Sequence, residues 1–122
     1  MTNVESGKKY DLEERTAKFG EEVIEFCRVL QKDVITIPIV GQLISSATSV
    51  GANYCEADCA ESKKDFEHKI GIANKEAKES KHWLRMIGKA VPEYVGKARV
   101  LWKEAHELNL ILTTIVKNSR SK

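Results

Sequence analysis

Proline is almost absent from this chain: only Pro38 and Pro92 occur in 122 residues, and both fall where a helical pattern begins. The long periodic stretches between them are therefore free of the residue that most reliably breaks a helix. No Pro-, Gly- or Ser-rich stretch separates one part of the chain from another, which argues against a flexible linker and for one compact domain over residues 1–122. Cysteine is scarce as well. Cys27, Cys55 and Cys59 cannot all pair within one chain, and their spacing matches no zinc or redox signature, so the expected setting is a reduced compartment, the cytoplasm. An apolar leader is also missing, since Met1 to Asp11 is polar.

The most informative absence is local. From Val34 to Cys55 the chain contains no Asp, Glu, Lys, Arg or His, although 31% of all residues are Asp, Glu, Lys or Arg. Such a gap marks either a membrane span or a helix packed against several neighbours. Pro38, Gln42, Ser45, Ser46, Thr48, Ser49 and Asn53 leave too few large apolar residues for a span of about 20. The packed helix is the better reading.

The residues that are present repeat with helical period. Leu12, Thr16, Phe19, Val23, Phe26 and Leu30 alternate spacings of four and three, predicting a first helix over about 11–32, with Asp11 and Glu14 spaced as a capping box. Val34 to Ile37 reads as an extended linker ahead of Pro38. A second helix, about 38–61, carries Val40, Leu43, Ala47, Val50, Tyr54 and Ala57 on one line. Ser62 and Asp65 predict the cap of a third, about 63–91, with the seam Phe66, Ile70, Ala73, Ala77, Ser80, Leu84, Ile87 and Val91. Beyond Pro92, Val95, Ala98, Leu101, Ala105, Leu108, Leu112 and Ile115 predict a fourth, about 93–117, with a frayed tail from Asn118 to Lys122. Four helices joined by short turns predict an all-α, antiparallel up-and-down four-helix bundle.

The outer faces carry the candidate sites. On the third helix, Lys64, His68, Gly71, Lys75, Lys78, His82, Arg85 and Lys89 form a line opposite the seam with no acid in it. The net charge of +2 is too small to argue for a polyanionic partner, but its distribution is uneven. The third helix carries eight Lys or Arg against four acids; residues 37–62 hold three acids and no Lys or Arg. The plain reading is a solvated face whose lysines pair with acids nearby. The functional reading is a phosphate-binding surface for RNA or DNA, through Lys64, Lys75, Lys78, Arg85 and Lys89, salt-sensitive and blind to base sequence.

A third line on that helix, Ile72, Glu76, Glu79, Trp83 and Met86, is too apolar for a free surface. Trp102, Leu110, Ile111, Ile24 and Cys27 likewise widen the apolar faces of the fourth and first helices. A broad seam inside one chain would explain them, but a two-layer rod has limited interior, and the favoured reading is contacts in a homo-oligomer. On the second helix, Gln42, Ser46, Ser49, Asn53 and Glu56 form a polar line of mostly small side chains suited to close helix approach and to fixing register.

The run from Ser46 to Ala57, with Phe66, Ile72, Ala73, Glu79 and Leu84, resembles a family of four-helix-bundle proteins that includes products of intervening sequences in 23S ribosomal RNA genes. The resemblance extends from Tyr10 to Lys117 and centres on Ser49, Asn53 and Glu56. It implies a small bacterial homo-oligomer, typically a pentameric barrel, of no established activity. Distantly similar proteins accompany the reverse transcriptases of diversity-generating retroelements, where a basic barrel surface binds nucleic acid and the enzyme, so the resemblance also implies a protein partner such as a reverse transcriptase. One position departs from the family pattern. Ser45 stands where the resemblance implies an Arg, and if that Arg pairs with Glu56 or Glu79, the acid must be satisfied here by another group.

Enzymatic constellations are not expected. A di-iron bundle needs two Glu-x-x-His pairs and only Glu79–His82 fits; Cys55, Cys59 and His68 lack a fourth convergent ligand. No phosphate loop or nucleophile elbow is present. The expectation is no enzyme, no metal, no cofactor and no membrane, with a purely structural or protein-interaction oligomer as the alternative to a nucleic-acid binder.

Overall fold

A computed structural model describes residues 11–121 as four helices that pack in sequence order: α1 (Leu12–Arg28), α2 (Thr36–Asp58), α3 (Lys63–Ala90) and α4 (Val95–Arg120). A single 3-10 turn, Pro92–Tyr94, joins α3 to α4. Each helix packs on the next, so the arrangement is the expected all-α four-helix bundle. The closing side, α1 against α4, is the thinnest. There Arg15 reaches across to Glu104 at 2.7 Å and to Glu107 at 2.7 Å, pinning the first turn of α1 to the middle of α4.

The predicted seams are the core. Phe19, Val23, Leu43, Val50, Ile70, Leu84, Ile87, Leu101, Leu108 and Leu112 are all buried, with Ala47, Ala73, Ala77 and Ala105 letting the helices approach between them. Two seam positions are polar and satisfied. Thr16 Oγ1 donates to Leu12 O at 2.7 Å within its own helix, and the Ser46 and Ser80 hydroxyls lie 2.9 Å apart between α2 and α3. Each would otherwise be a buried group without a partner, which is costly.

Besides α2, which ends at Asp58 rather than near Glu61 as Cys59 N–H and Ala60 N–H turn back to Glu56 O and Ala57 O, the helix ends depart from expectation in four places. Asp11 sits at the N-cap of α1, but its φ of −96° and ψ of 28° are not the extended geometry a side-chain cap needs, and no cap bond forms. The capping box predicted there is absent. Secondly, α1 ends at Arg28 rather than near Lys32. Val29 N–H and Leu30 N–H turn back to Phe26 O and Cys27 O, which tightens the end while keeping Leu30 in the core.

Thirdly, the segment expected to be an extended linker is already helical from Thr36. The cause is Asp33, whose Oδ1 accepts from Ile35 N–H and Thr36 N–H, both at 2.9 Å, while Thr36 Oγ1 accepts from Asp33 N–H at 3.0 Å. This reciprocal cap starts the helix two residues before Pro38, which then occupies a first-turn position where its missing N–H costs nothing. Those hydrogen bonds, the one from Thr36 N–H foremost, hold the Asp33 carboxyl below its ordinary pKa. Finally, the tail does not fray at Asn118. The helix continues to Arg120, with Ser119 Oγ donating to Glu67 Oε2 on α3 at 2.7 Å. Tyr10 and Lys122 lie outside the described residues.

Two expected ends hold. Ser62, with extended φ of −147° and ψ of 160°, caps α3 by accepting from Asp65 N–H at 3.0 Å. Pro92 stops α3, and Tyr94 N–H bonds to Val91 O across the turn.

Part of the charge-free segment is explained by its place. α2 lies between α1 and α3, and at the α1 crossing the backbones touch: a Cβ on Gly51 would meet the Thr16 carbonyl and Ala17 N at 3.4 Å, and one on Gly20 would meet Thr48 Cα at 3.4 Å. No long charged side chain fits such a crossing. The remaining face, including Gln42, Ser45, Thr48, Ala52 and Cys55, is exposed yet uncharged.

Candidate nucleic-acid interface

The line along α3 opposite the core is fully open. Lys64, His68, Gly71, Lys75, Lys78, His82, Arg85 and Lys89 are all exposed, as helical spacing required. None of the cations in this line lies within salt-bridge distance of an acid among the described residues. At that distance the pairing of the plain reading is not seen among the described residues, although Lys75 lies close enough to Glu76 to act on its carboxyl. At about 1.5 Å per residue, Lys64 and Lys89 mark the ends of a stripe roughly 38 Å long.

The other groups of α3 show why the stripe is unneutralised. Asp65 is exposed in its first turn, but two of its other acids are engaged: Glu67 accepts from Ser119, and Glu79 Oε2 accepts from Trp83 Nε1–H at 3.0 Å. Glu76 is half-buried, and desolvation, reinforced by Glu79 and partly offset by Lys75, raises its pKa. Two lysines off the stripe are engaged. Lys69 Nζ binds Glu56 Oε1 at 2.6 Å across the α2–α3 boundary, and Lys81 Nζ donates to His106 Nδ1 on α4 at 3.1 Å. A lysine ammonium has no acceptor, so His106 must present a bare Nδ1 to it.

Between the end of α3 and the start of α4 the stripe meets a groove of about 430 Å³, lined by Arg85, Lys89 and Arg99 as well as Gly88, Val95 and Trp102. Arg99 and Trp102 are three apart on α4 and share a face. Trp102 is 37% exposed; His106 stacks on it with the rings 15° apart, and Lys81 Nζ lies 5.2 Å from its centroid. Gly88 keeps the wall thin, since a Cβ there would meet Val95 Cγ2 at 3.2 Å.

Sequence reasoning placed Arg85 and Lys89 here but missed Arg99, and it took Trp102 only as a widening of an apolar face. The i,i+3 pairing of Arg99 with Trp102 was visible. That this face of α4 would meet the end of the α3 stripe was not, because periodicity gives each helix a face without giving its rotation against a neighbour.

The polar line resolves into local pairs. Asn53 Nδ2 donates to Ser49 O at 2.9 Å, Glu56 pairs with Lys69, and Glu79 pairs with Trp83. Glu56 and Glu79 thus have Lys69 and the Trp83 indole as their partners. Ser46 is not on the outer line at all; it is buried against Ser80 of α3, where two small hydroxyls let the helices close. Ser49, Asn53, Glu79 and Trp83 are half-buried and Glu56 is exposed, so they lie along the α2–α3 boundary. Ile72 and Met86 share that half-buried edge. Of the other widening residues, Cys27 is buried, Ile24 and Ile111 are half-buried, and Leu110 is exposed.

Among the described residues, Cys55, Cys59 and His68 do not gather into a metal-holding cluster. Cys27 is inert by burial, which pushes its thiol up to about 11. No helix of the described residues is long and apolar enough to cross a membrane.

Over residues 8–114 the chain matches the family described as 23S rRNA-intervening sequence protein. None of the curated proteins matches it. Among solved structures it is similar to a protein of unknown function from the S23 ribosomal protein family of Bacteroides thetaiotaomicron. The two are 27% identical, the match covers 88% of this chain and 96% of the other, and the TM-score is 0.79.

Proposed function

The chain belongs to the 23S rRNA-intervening sequence protein family, and from that premise we propose that it is a non-enzymatic, cytoplasmic scaffold that binds nucleic acid along the outer face of α3. The stripe carries the reading: Lys64, Lys75, Lys78, Arg85 and Lys89 stand exposed with no acid in salt-bridge reach among the described residues. A folded protein gains little from unpaired cations in a row, whereas a polyanion that binds them releases its condensed counterions into solution, which favours the complex. Lysine-rich contacts of this kind hold phosphates and do not read bases.

The same reading includes a homo-oligomer, a pentamer by the family resemblance, built through the α2–α3 edge. Ile72, Trp83 and Met86 are half-buried there, and Val34, Ile35 and Ile37 stand exposed at the adjoining end of α2, Val34 at 87%. That edge also supports the second reading, an assembly that serves a protein partner only.

Binding of labelled single-stranded and duplex oligonucleotides, followed by fluorescence anisotropy at low salt, separates the two. The wild-type protein should bind both, and the variant carrying Lys75→Glu, Lys78→Glu and Arg85→Glu should lose most of that affinity while keeping its helical circular dichroism. Absence of any binding by the wild-type protein at low salt would leave the purely structural assembly standing.

A further inference from the structure

We infer that the groove between the end of α3 and the start of α4 takes an unpaired nucleobase, so that this protein prefers single-stranded nucleic acid to duplex; the inference rests on the nucleic-acid reading of the α3 stripe. Phosphate contacts alone would give no such preference. The groove adds what the stripe lacks, an aromatic ring beside a cluster of cations. Arg85, Lys89 and Arg99 line it with no acid among its walls, and Trp102 contributes the ring. Its volume of about 430 Å³ falls in the range of sites that hold a small planar ligand.

The ring is preset. His106 stacks on Trp102 and Lys81 holds His106, so the indole does not have to be ordered when a base arrives. Val95 and Gly88 give the groove an apolar wall for the base, while Arg85 and Lys89 continue the stripe and so deliver the backbone phosphates to the same place. A duplex offers phosphates to these cations but keeps its bases stacked inside. Only an unpaired strand can offer both a charge to Arg99 and a π-face to Trp102, the combination on which single-strand binders rely.

The test uses a Trp83→Phe background, in which Trp102 is the sole tryptophan. An oligouridylate of roughly twelve nucleotides and a duplex of the same length are the probes, a length within the span of single-strand site sizes. The single strand should quench Trp102 emission and bind more tightly than the duplex. Trp102→Ala should cut single-strand affinity by about fivefold or more, the scale of one base stack, leave duplex affinity unchanged, and be largely rescued by Trp102→Phe. Arg99→Glu, an exposed change that leaves the core untouched, should also weaken the single strand more than the duplex. Binding of both probes without Trp102 quenching, or with equal weakening in Trp102→Ala, overturns the groove and leaves the stripe. If neither probe binds, both readings fall together.

Discussion

Asp33 shows how much one side chain can decide. Its carboxylate receives two backbone N–H groups at the start of α2, and the first turn of that helix has no other acid to complement its dipole. Because these bonds lower the Asp33 pKa, its stabilising effect is present above the ordinary carboxylate pKa and is lost as pH falls through the lowered value. Asp33→Ala should therefore lower the melting temperature at neutral pH, with the gap to wild type closing in acid. A gap that stays constant with pH would mean that the charge is not what holds the turn. This cap was hard to read from sequence because Pro38 drew the expected helix start to itself. Ser62 was legible and Asp11 was not, for one reason: both have the right chemistry, but only Ser62 has the extended backbone that aims its oxygen at the helix.

Among the elements, α2 illustrates what a charge-free sequence achieves. It crosses α1 at backbone contact distance, a Cβ on Gly51 standing 3.4 Å from the Thr16 carbonyl. A large side chain at this crossing must push the helices apart, and Gly51→Leu should cost about 1–3 kcal/mol in chemical denaturation, the usual cost of overpacking. A variant as stable as wild type would show that the crossing is looser than its distances indicate. The four seams were readable residue by residue because each helix must present one apolar face, whatever its neighbours are. Partner faces were not readable. Lys69 with Glu56, Ser119 with Glu67 and Arg15 with Glu104 each join residues far apart in sequence, and no spacing rule links them. The stripe on α3 was legible for the opposite reason, since a face that touches nothing needs no partner to be identified.

For the whole molecule, the basic line and the half-buried α2–α3 edge follow different lines of α3. The basic line runs along the outside of α3, while the half-buried Ile72, Trp83 and Met86 lie at the α2–α3 edge, so assembly through that edge need not cover the cations. Introducing a charge there, Trp83→Glu, should reduce the particle mass toward that of one chain in light scattering. An unchanged mass would remove this edge from the assembly while leaving the stripe unaffected.

The salt dependence of nucleic-acid binding tests the central claim most directly, because it counts cations that meet phosphates. For single strands the slope of log K against log salt is about −0.7 per neutralised phosphate, and for duplex about −0.9. The stripe predicts a steep slope for the wild-type protein. When Lys75, Lys78 and Arg85 are reversed to Glu, the single-strand slope should become shallower by about 0.7 for each phosphate that is no longer neutralised. A slope near zero, or one that the three substitutions leave unchanged, would contradict the assignment of this face of α3 to nucleic acid.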